Sequence, residues 1–538
     1  MSDSHIGKDI PLGVQYSCKS IRIRQRGLMA WAVAACFAMG VAQANPTNPT
    51  VTNGAAQFTT VGNLLTVTNT PNTIINWNSF SIGAGEITRF IQQSSASAVL
   101  NRVGAGRDPS SILGSLQSNG RVFLINPNGI TFGAGSQINV AGLVASTLNL
   151  SDADFLAGRM RFTDGLGNSV INNGNITTGA GGSVYLVGNA VTNNGIITSP
   201  KGEVILAAGN SVELVNPATP DLRVEITAPD NQAVNLGQIV ADSGRIGIYA
   251  GLINHSGTLN ANSVDVDAAG NITLKATQNI DLAATSRTTA NGPTGGNITL
   301  QSGDTTLVAG TIEAKGGIGQ GGTVNVLGNL VGLTGSANVD ASGDTGGGTV
   351  LIGGDYQGKN TAIQNAYRTY IGADTTIKAD AVTSGNGGKV IVWGDDVTRY
   401  FGTISARGGA ESGDGGFVEV SGKGALSFAG FVDASAPKGM YGKLLLDPTD
   451  ITIVATTTDP ANALDGTWAF AEDAGAQTIG ADAIARLLGS SNLTLQATNN
   501  INVTSAISWT TPQKLTLQAN NDLNVGANIT NNLLFSFG

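Results

Sequence analysis

The chain has 538 residues with a net charge of −9, 12% charged residues, 5% aromatic residues and 75 glycines. That length holds several domains or one long repeat array, and the scarcity of charge sets it apart from disordered polyampholytes. Abundant small, β-branched and amide side chains fit short strands with tight turns better than a compact enzyme.

Residues 1–44 predict a secretory leader. Lys19, Arg22, Arg24 and Arg26 form a basic region, residues 28–41 an apolar core too short to span a bilayer, and Ala42-Gln43-Ala44 a small-residue cleavage site. Cys18 and Cys36, the two cysteines, both fall in this leader. Cleavage after Ala44 leaves a chain with no disulfide and no thiolate ligand for zinc. It also leaves 23 positive and 35 negative side chains, net −12, which argues against nucleic acids and anionic membranes as partners.

From 45 to about 120 the pattern is irregular. Short apolar runs appear at Leu64-Leu65-Thr66-Val67, Thr73-Ile74-Ile75-Asn76-Trp77 and Ile87-Thr88-Arg89-Phe90-Ile91, with aromatic bulk at Trp77, Phe80 and Phe90. A stacked β-rod has an open end that pairs with anything, and a bulky irregular segment is what caps it. A strand over 122–125 then enters Asn126-Pro127-Asn128-Gly129 and leaves through Ile130-Thr131-Phe132. Pro127 fixes φ and Gly129 tolerates positive φ, so the four residues predict a tight turn.

Repeats follow. Val170-Ile171-Asn172-Asn173-Gly174 returns 21 residues later as Val191-Thr192-Asn193-Asn194-Gly195. The period then settles at 26: Ile246, Ile272, Ile298, Val324 and Val350 open successive apolar triplets, each with a Gly two positions before it. After a 14-residue insertion the triplet returns at Val390, then at Val418 and Leu444. A second element, at Thr311-Ile312, Asn338-Val339, Thr403-Ile404 and Phe431-Val432, trails its triplet by 13 or 14 residues. Short strands at this period with no intervening helix predict a β-solenoid, an all-β right-handed parallel β-helix behind an irregular N-terminal cap. One rung alone does not bury enough to offset its ordering entropy, so rungs survive only by stacking. The organisation expected is a leader (1–44), cap and first rungs (45–300), regular rungs (301–455), a helical excursion (456–490) and further rungs (491–538). The last rungs end without a clear cap and read as part of a longer chain.

Sites for chemistry are sparse. Asp395, Asp396 and Arg399, with Asp355 upstream, are the one carboxylate grouping that suggests the glycosidic chemistry of some β-helices; solvated loops account for them equally. His255, the sole histidine after the leader, reads as a turn residue in Asn254-His255-Ser256-Gly257. Asp344 and Asp414 sit among glycines but lack the nine-residue period of calcium-binding repeats. No metal, no cofactor and no enzymatic activity are expected.

The leader, then Phe123-Leu124-Ile125-Asn126-Pro127-Asn128-Gly129-Ile130-Thr131-Phe132-Gly133, then Ile138-Asn139-Val140-Ala141-Gly142-Leu143 resemble the secretion domain of filamentous haemagglutinin-type exoproteins. Gly353-Gly354-Asp355-Tyr356, Gly416-Phe417-Val418-Glu419-Val420 and Leu444-Leu445-Leu446-Asp447-Pro448 resemble the later parts of such proteins. The resemblance implies two-partner secretion: the chain reaches the periplasm by the general secretory route, and a secretion domain over 45–300 engages the periplasmic receptor domains of an outer-membrane β-barrel transporter. It implies a secreted or cell-surface adhesin, or alternatively the stalk of a contact-dependent growth-inhibition toxin; a β-helical polysaccharide-degrading enzyme is the third reading. Asn126, Pro127, Asn128, Gly129 and Ile130 are the expected export address, and only one of the two Asn-Pro motifs frequent in the family is plain. A strand–turn–strand in an unfolded chain suits recognition by strand addition, while shaping the turn for folding explains the same residues.

Overall fold

The computed structural model describes residues 45–215, 223–227, 231–265, 269–456 and 478–533. The chain divides into two units, Met1–Gln43 and Ala44–Gly538, and every described residue lies in the second. The leader, with Ala42 and Ala44, lies outside the described residues.

Strands that share a position in the 26-residue repeat lie beside one another. Ile246 pairs with Ile272, and Ile298, Val324, Val350, Val390, Val418, Leu444, Leu493 and Leu515 follow, each paired with the one before, in one parallel, in-register column. The second repeat element forms its own column through Leu259, Thr288, Ile312, Val339, Ile377, Ile404 and Val432. A typical rung has three short strands, Asn297–Ser302, Thr305–Val308 and Thr311–Glu313, and the next rung repeats them as Thr323–Leu327, Leu330–Leu333 and Asn338–Asp340. Alternate side chains point inward. They merge into one apolar core that runs from Leu65 to Ile507. The molecule is thus a parallel β-helix, the architecture the period predicts.

Glycine makes the corners possible. A Cβ on Gly322 would lie 2.0 Å from the Gly296 carbonyl oxygen, and one on Gly348 2.1 Å from that of Gly322. The backbones touch there, and no side chain fits between.

The N-terminal end is closed by antiparallel pairing. Ala56–Val61 folds back on Leu64–Asn69, and Thr50–Asn53 pairs with Thr73–Trp77, so each parallel sheet begins under an antiparallel strand. Phe58 packs edge-on to Trp77 at 5.6 Å, and Trp77 edge-on to Phe80 at 5.7 Å. The aromatic residues of the irregular segment plug the first rung.

One feature has no counterpart in the sequence pattern. Asn149–Leu150, Met160–Thr163, Ser211–Val215 and Arg223–Thr227 form a separate antiparallel sheet, and helix Asp152–Leu156 lies between its first two strands. Phe155 and Phe162 pack with Phe123, Ile125, Val144, Tyr185 and Ile205 in a second core on the outer face of the rungs. Strands there are apolar on both faces because both faces are covered. Further on, Ala481–Leu487 is a helix that turns Ala483, Ile484 and Leu487 inward; residues 457–477 of the expected excursion lie outside the described residues.

Candidate functional site

Strand Arg121–Ile125 delivers Asn126 to the end of a rung, and strand Ile130–Phe132 carries the chain onward between Ser110–Ile112 and Ser169–Asn172. The Gly129 N–H donates to the Asn126 carbonyl at 3.2 Å, which closes the turn, and Gly129 has φ +122°.

Asn126 is fully buried and its side chain is fully used. Its Nδ2 donates to the Asp108 carbonyl (3.0 Å) and to Ser110 Oγ (2.9 Å). Its Oδ1 accepts from the Asn128 N–H (3.0 Å) and Asn128 Nδ2 (2.8 Å). Asn128 also donates to the Gly104 carbonyl at 2.8 Å and accepts from the Gly106 N–H at 2.9 Å. The Pro127 carbonyl takes a bond from Asn168 Nδ2 at 2.8 Å, and the Asn126 N–H donates to the Ser146 carbonyl at 2.9 Å. Ile130 is buried in the core. The five residues therefore stitch the rung before to the rung after. In the folded chain these hydrogen bonds are made within the molecule, with Asn126 and Ile130 buried and residues 127–129 half-buried.

The other candidates disperse. Asp396 pairs with Arg368 at 2.8 Å, whereas Asp395 accepts from Trp393 Nε1 at 2.9 Å. Asp355 pairs with Lys389 and caps the short turn Tyr356–Gly358. Asp344 accepts from Thr383 Oγ1 at 2.6 Å. Each carboxylate fastens one rung or loop to its neighbour. No group of three or more His, Cys, Asp and Glu side chains among the described residues is placed to hold a metal.

His255 is not a turn residue. It ends the strand Arg245–His255 and is buried. It closes a ladder in which Asn172 Nδ2 donates to Asn193 Oδ1 and Asn193 Nδ2 to Asn235 Oδ1, both at 2.8 Å. The signal was present as a polar residue two positions before a Gly at Asn172, Asn193, Asn235 and His255, once per rung. Burial lowers the His255 pKa to about 4.

Sequence reasoning missed two further groupings. One is a cavity of about 710 Å³ beside the extra sheet, where Glu203 accepts from Tyr185 Oη at 2.6 Å and pairs with Arg245 at 3.1 Å. The other is the insertion 353–367, which folds as a strap over the outer face of the rungs. The Gln357 N–H donates to both Glu419 carboxylate oxygens at 3.2 Å, and Gln357 Nε2 donates to Asp447 Oδ2 at 3.0 Å.

A TPS secretion domain profile matches residues 42–281. A heme/hemopexin-binding protein of Haemophilus influenzae is 43% identical over 106 residues, 20% of this chain and 12% of that protein. A second protein of that name from the same species is 40% identical over 89 residues, 16% of this chain and 10% of its own length. The chain thus spans about an eighth or less of the relatives it matches. The crystal structure of the HMW1 secretion domain from Haemophilus influenzae superposes with a TM-score of 0.58 at 35% identity, over 74% of this chain and 100% of that one.

Proposed function

The chain belongs to the exoproteins of two-partner secretion, and from that membership we propose that it is an adhesin held at or released from the cell surface after export through a dedicated outer-membrane β-barrel transporter. The observation that carries the reading is the 35% identity maintained over the whole of a solved secretion domain. The short matches to heme/hemopexin-binding proteins support the export route and not a ligand, because they cover so little of those proteins.

In this reading the leader is removed after Ala44, and residues 45–300 form the secretion domain. Residues 126–130 are the export address in the unfolded chain, and Asn126 and Ile130 become internal once folded. Two physical points support that order. Asn126 and Ile130 are open to a partner only before folding, since Asn126 is buried and Ile130 lies in the core. Each rung is stable only on a neighbour, so the capped first rungs, emerging outside, template those that follow. Strand addition by the transporter's receptor domains suits a segment whose main-chain groups are still free. The carboxylates that suggest catalysis are all engaged in holding loops, and catalysis is no part of the reading.

The test is export of the full chain in a Gram-negative host with and without its partner transporter. Transporter-dependent appearance of protease-resistant chain outside the cell is the expected result. Equal export without the transporter overturns the route. Exported chain that adheres to no cell type overturns the adhesin reading.

A further inference from the structure

We propose that the groove beside the strap 353–367 is a binding site for an extended oligosaccharide, which rests on the adhesin reading and gives it a place on the rod.

The groove has a volume of about 540 Å³ and runs along one corner of the helix. Its floor is bare backbone. A Cβ on Gly388 would lie 2.1 Å from the Gly348 carbonyl oxygen, on Gly416 2.2 Å from that of Gly388, and on Gly442 2.1 Å from that of Gly416. Other rungs have such a corner too; in the four before the strap the position after the glycine carries a small or amide side chain, Asn271, Asn297, Thr323 and Thr349. In the rungs beside the strap it carries Lys389, Phe417 and Lys443.

The chemistry of the walls is mixed in the way sugar recognition needs. Phe417 and Tyr441 are half-buried, so each offers part of a ring to the groove for the apolar face of a pyranose. The Asp414 N–H donates to Asn386 Oδ1, and the Met440 N–H to Asp414 Oδ1, both at 2.8 Å. These bonds hold the two side chains still while leaving Asn386 Nδ2 as a donor and Asp414 Oδ2 as an acceptor for hydroxyls. Lys443 is exposed at the rim as a further donor. A hydroxyl-rich chain with apolar faces uses all of these groups; a purely apolar peptide leaves the polar ones desolvated and unpaired.

The strap backs the groove rather than lining it, through its contacts with two lining residues, Phe417 and Lys389. It interrupts the repeat once, and insertions in repeat arrays fall on loops of the binding face. Tyr356 stands 44% exposed and packs edge-on against Phe417 at 5.7 Å. Asp355 holds the ammonium of Lys389. The residue between these anchors and Gly358, Gln357, has φ +51°, a conformation that non-glycine residues adopt only where their surroundings hold them. Buried Glu419 and Asp447 hold it there through their bonds to Gln357. The strap is therefore fixed, and with it the two groove residues it touches, Phe417 and Lys389.

The full exported chain is applied to a printed glycan array, and the strongest glycan is titrated by calorimetry. Binding is expected, with affinity lowered about tenfold or more by Phe417→Ala and by Asn386→Ala, and kept within about threefold by Phe417→Tyr, which retains the ring; tenfold corresponds to the loss of roughly one stacking contact or one hydrogen-bond pair. Asn386 is exposed, so its variant reports binding even if Phe417→Ala perturbs the rung. An array without binding, or equal affinity in the Asn386→Ala and Phe417→Ala chains and the wild type, overturns the proposal. Wild-type chain that adheres to cells but binds no glycan sinks the groove and leaves the adhesin reading standing. Chain that binds glycan through the groove but adheres to no cell sinks the adhesin reading alone.

Discussion

Asn235 Nδ2 lies 3.2 Å from His255 Nδ1, and the imidazole it meets is buried and held neutral. The amide ladder below leads up to this ring, and the Asn235 carbonyl lies 3.4 Å from the same Nδ1. Burial lowers the pKa from 6.5 to about 4, against the smaller opposing pull of backbone hydrogen bonds at Asn235 and Arg287. The unfolded chain therefore takes up a proton between those values that the folded chain refuses. Stability is full above pH 6.5 and falls as pH drops toward 4, by on the order of 3 kcal/mol. His255→Asn continues the ladder with an amide and removes the titration. Hydrogen exchange of the strand Arg245–His255 at pH 7.5 and 4.5 checks this: acid-induced loss of protection in the wild type, and a much smaller loss in the variant.

Glu419 has the opposite sign. It lies under the strap, and burial, with the Asp447 carboxylate adding to it, raises its pKa from 4.5 to about 7. The folded state favours the protonated acid. That contribution is present at low pH and is lost as pH rises through 7, on the order of 3 kcal/mol across the window. Glu419→Gln keeps an acceptor for the Gln357 N–H and has no proton to lose. Protease cleavage within 353–367 measures opening of the strap. It is expected to rise between pH 6 and 8.5 in the wild type and to stay flat in Glu419→Gln.

The rods and their register were legible because the signal repeats. Ile246, Ile272 and Ile298 share a phase in the sequence and stack in the structure, each triplet confirming the next. The turn at 126–129 was legible because Pro127 and Gly129 narrow the backbone to few conformations. What escaped is what occurs once. The sheet containing Met160–Thr163 is an excursion whose strands carry no period, and its partner strand Ser211–Val215 lies some fifty residues away. His255 was misplaced because the residues around it look like a turn, while its partner Asn235 is in the adjacent rung, 20 positions earlier. A carboxylate such as Glu419 reads as an outward-facing strand residue, and only the strap laid over it makes it buried. Local pattern identifies the rung; what is laid against the rung depends on contacts distant in sequence.

Two glycines in one corner separate backbone contact from mere flexibility. A Cβ on Gly317 would meet its nearest atom, the Gly292 carbonyl oxygen, at 3.4 Å, and the position does not need positive φ. Gly317→Ala is expected to be neutral or to stabilise by up to about 1 kcal/mol by restricting the unfolded chain. Gly322→Ala places the same methyl 2.0 Å from the Gly296 carbonyl oxygen and 2.7 Å from the Gly295 carbonyl carbon, atoms that cannot move without parting two rungs. A loss of about 4 kcal/mol or more, or failure to accumulate, is expected. Chemical denaturation followed by circular dichroism checks both, and equal stability of the two variants would falsify the packing account.

The last prediction separates the two roles of the Asn-Pro-Asn-Gly turn. Asn126→Ala removes a buried amide that makes four side-chain bonds, and it strands Ser110 Oγ in the interior. The expected cost is about 2–4 kcal/mol, since each buried group left unpaired costs roughly 1–3. Asn128→Ala also loses bonds, to Gly104, Gly106 and Asn126 Oδ1, but its site is half-buried, water replaces the first two and Asn126 Oδ1 keeps the bond from the residue 128 N–H, so it costs about 1 kcal/mol. Folding alone therefore ranks the defects: export of Asn126→Ala falls well below that of Asn128→Ala, in step with stability. Recognition in the unfolded chain gives another ranking, because the transporter meets both side chains before either is buried. Quantifying exported chain beside the denaturation midpoint of each variant decides between them. If export of Asn128→Ala drops as far as that of Asn126→Ala while its stability stays near wild type, the transporter reads the motif. If export follows stability along one line, the address reading fails and the turn serves the first rungs alone.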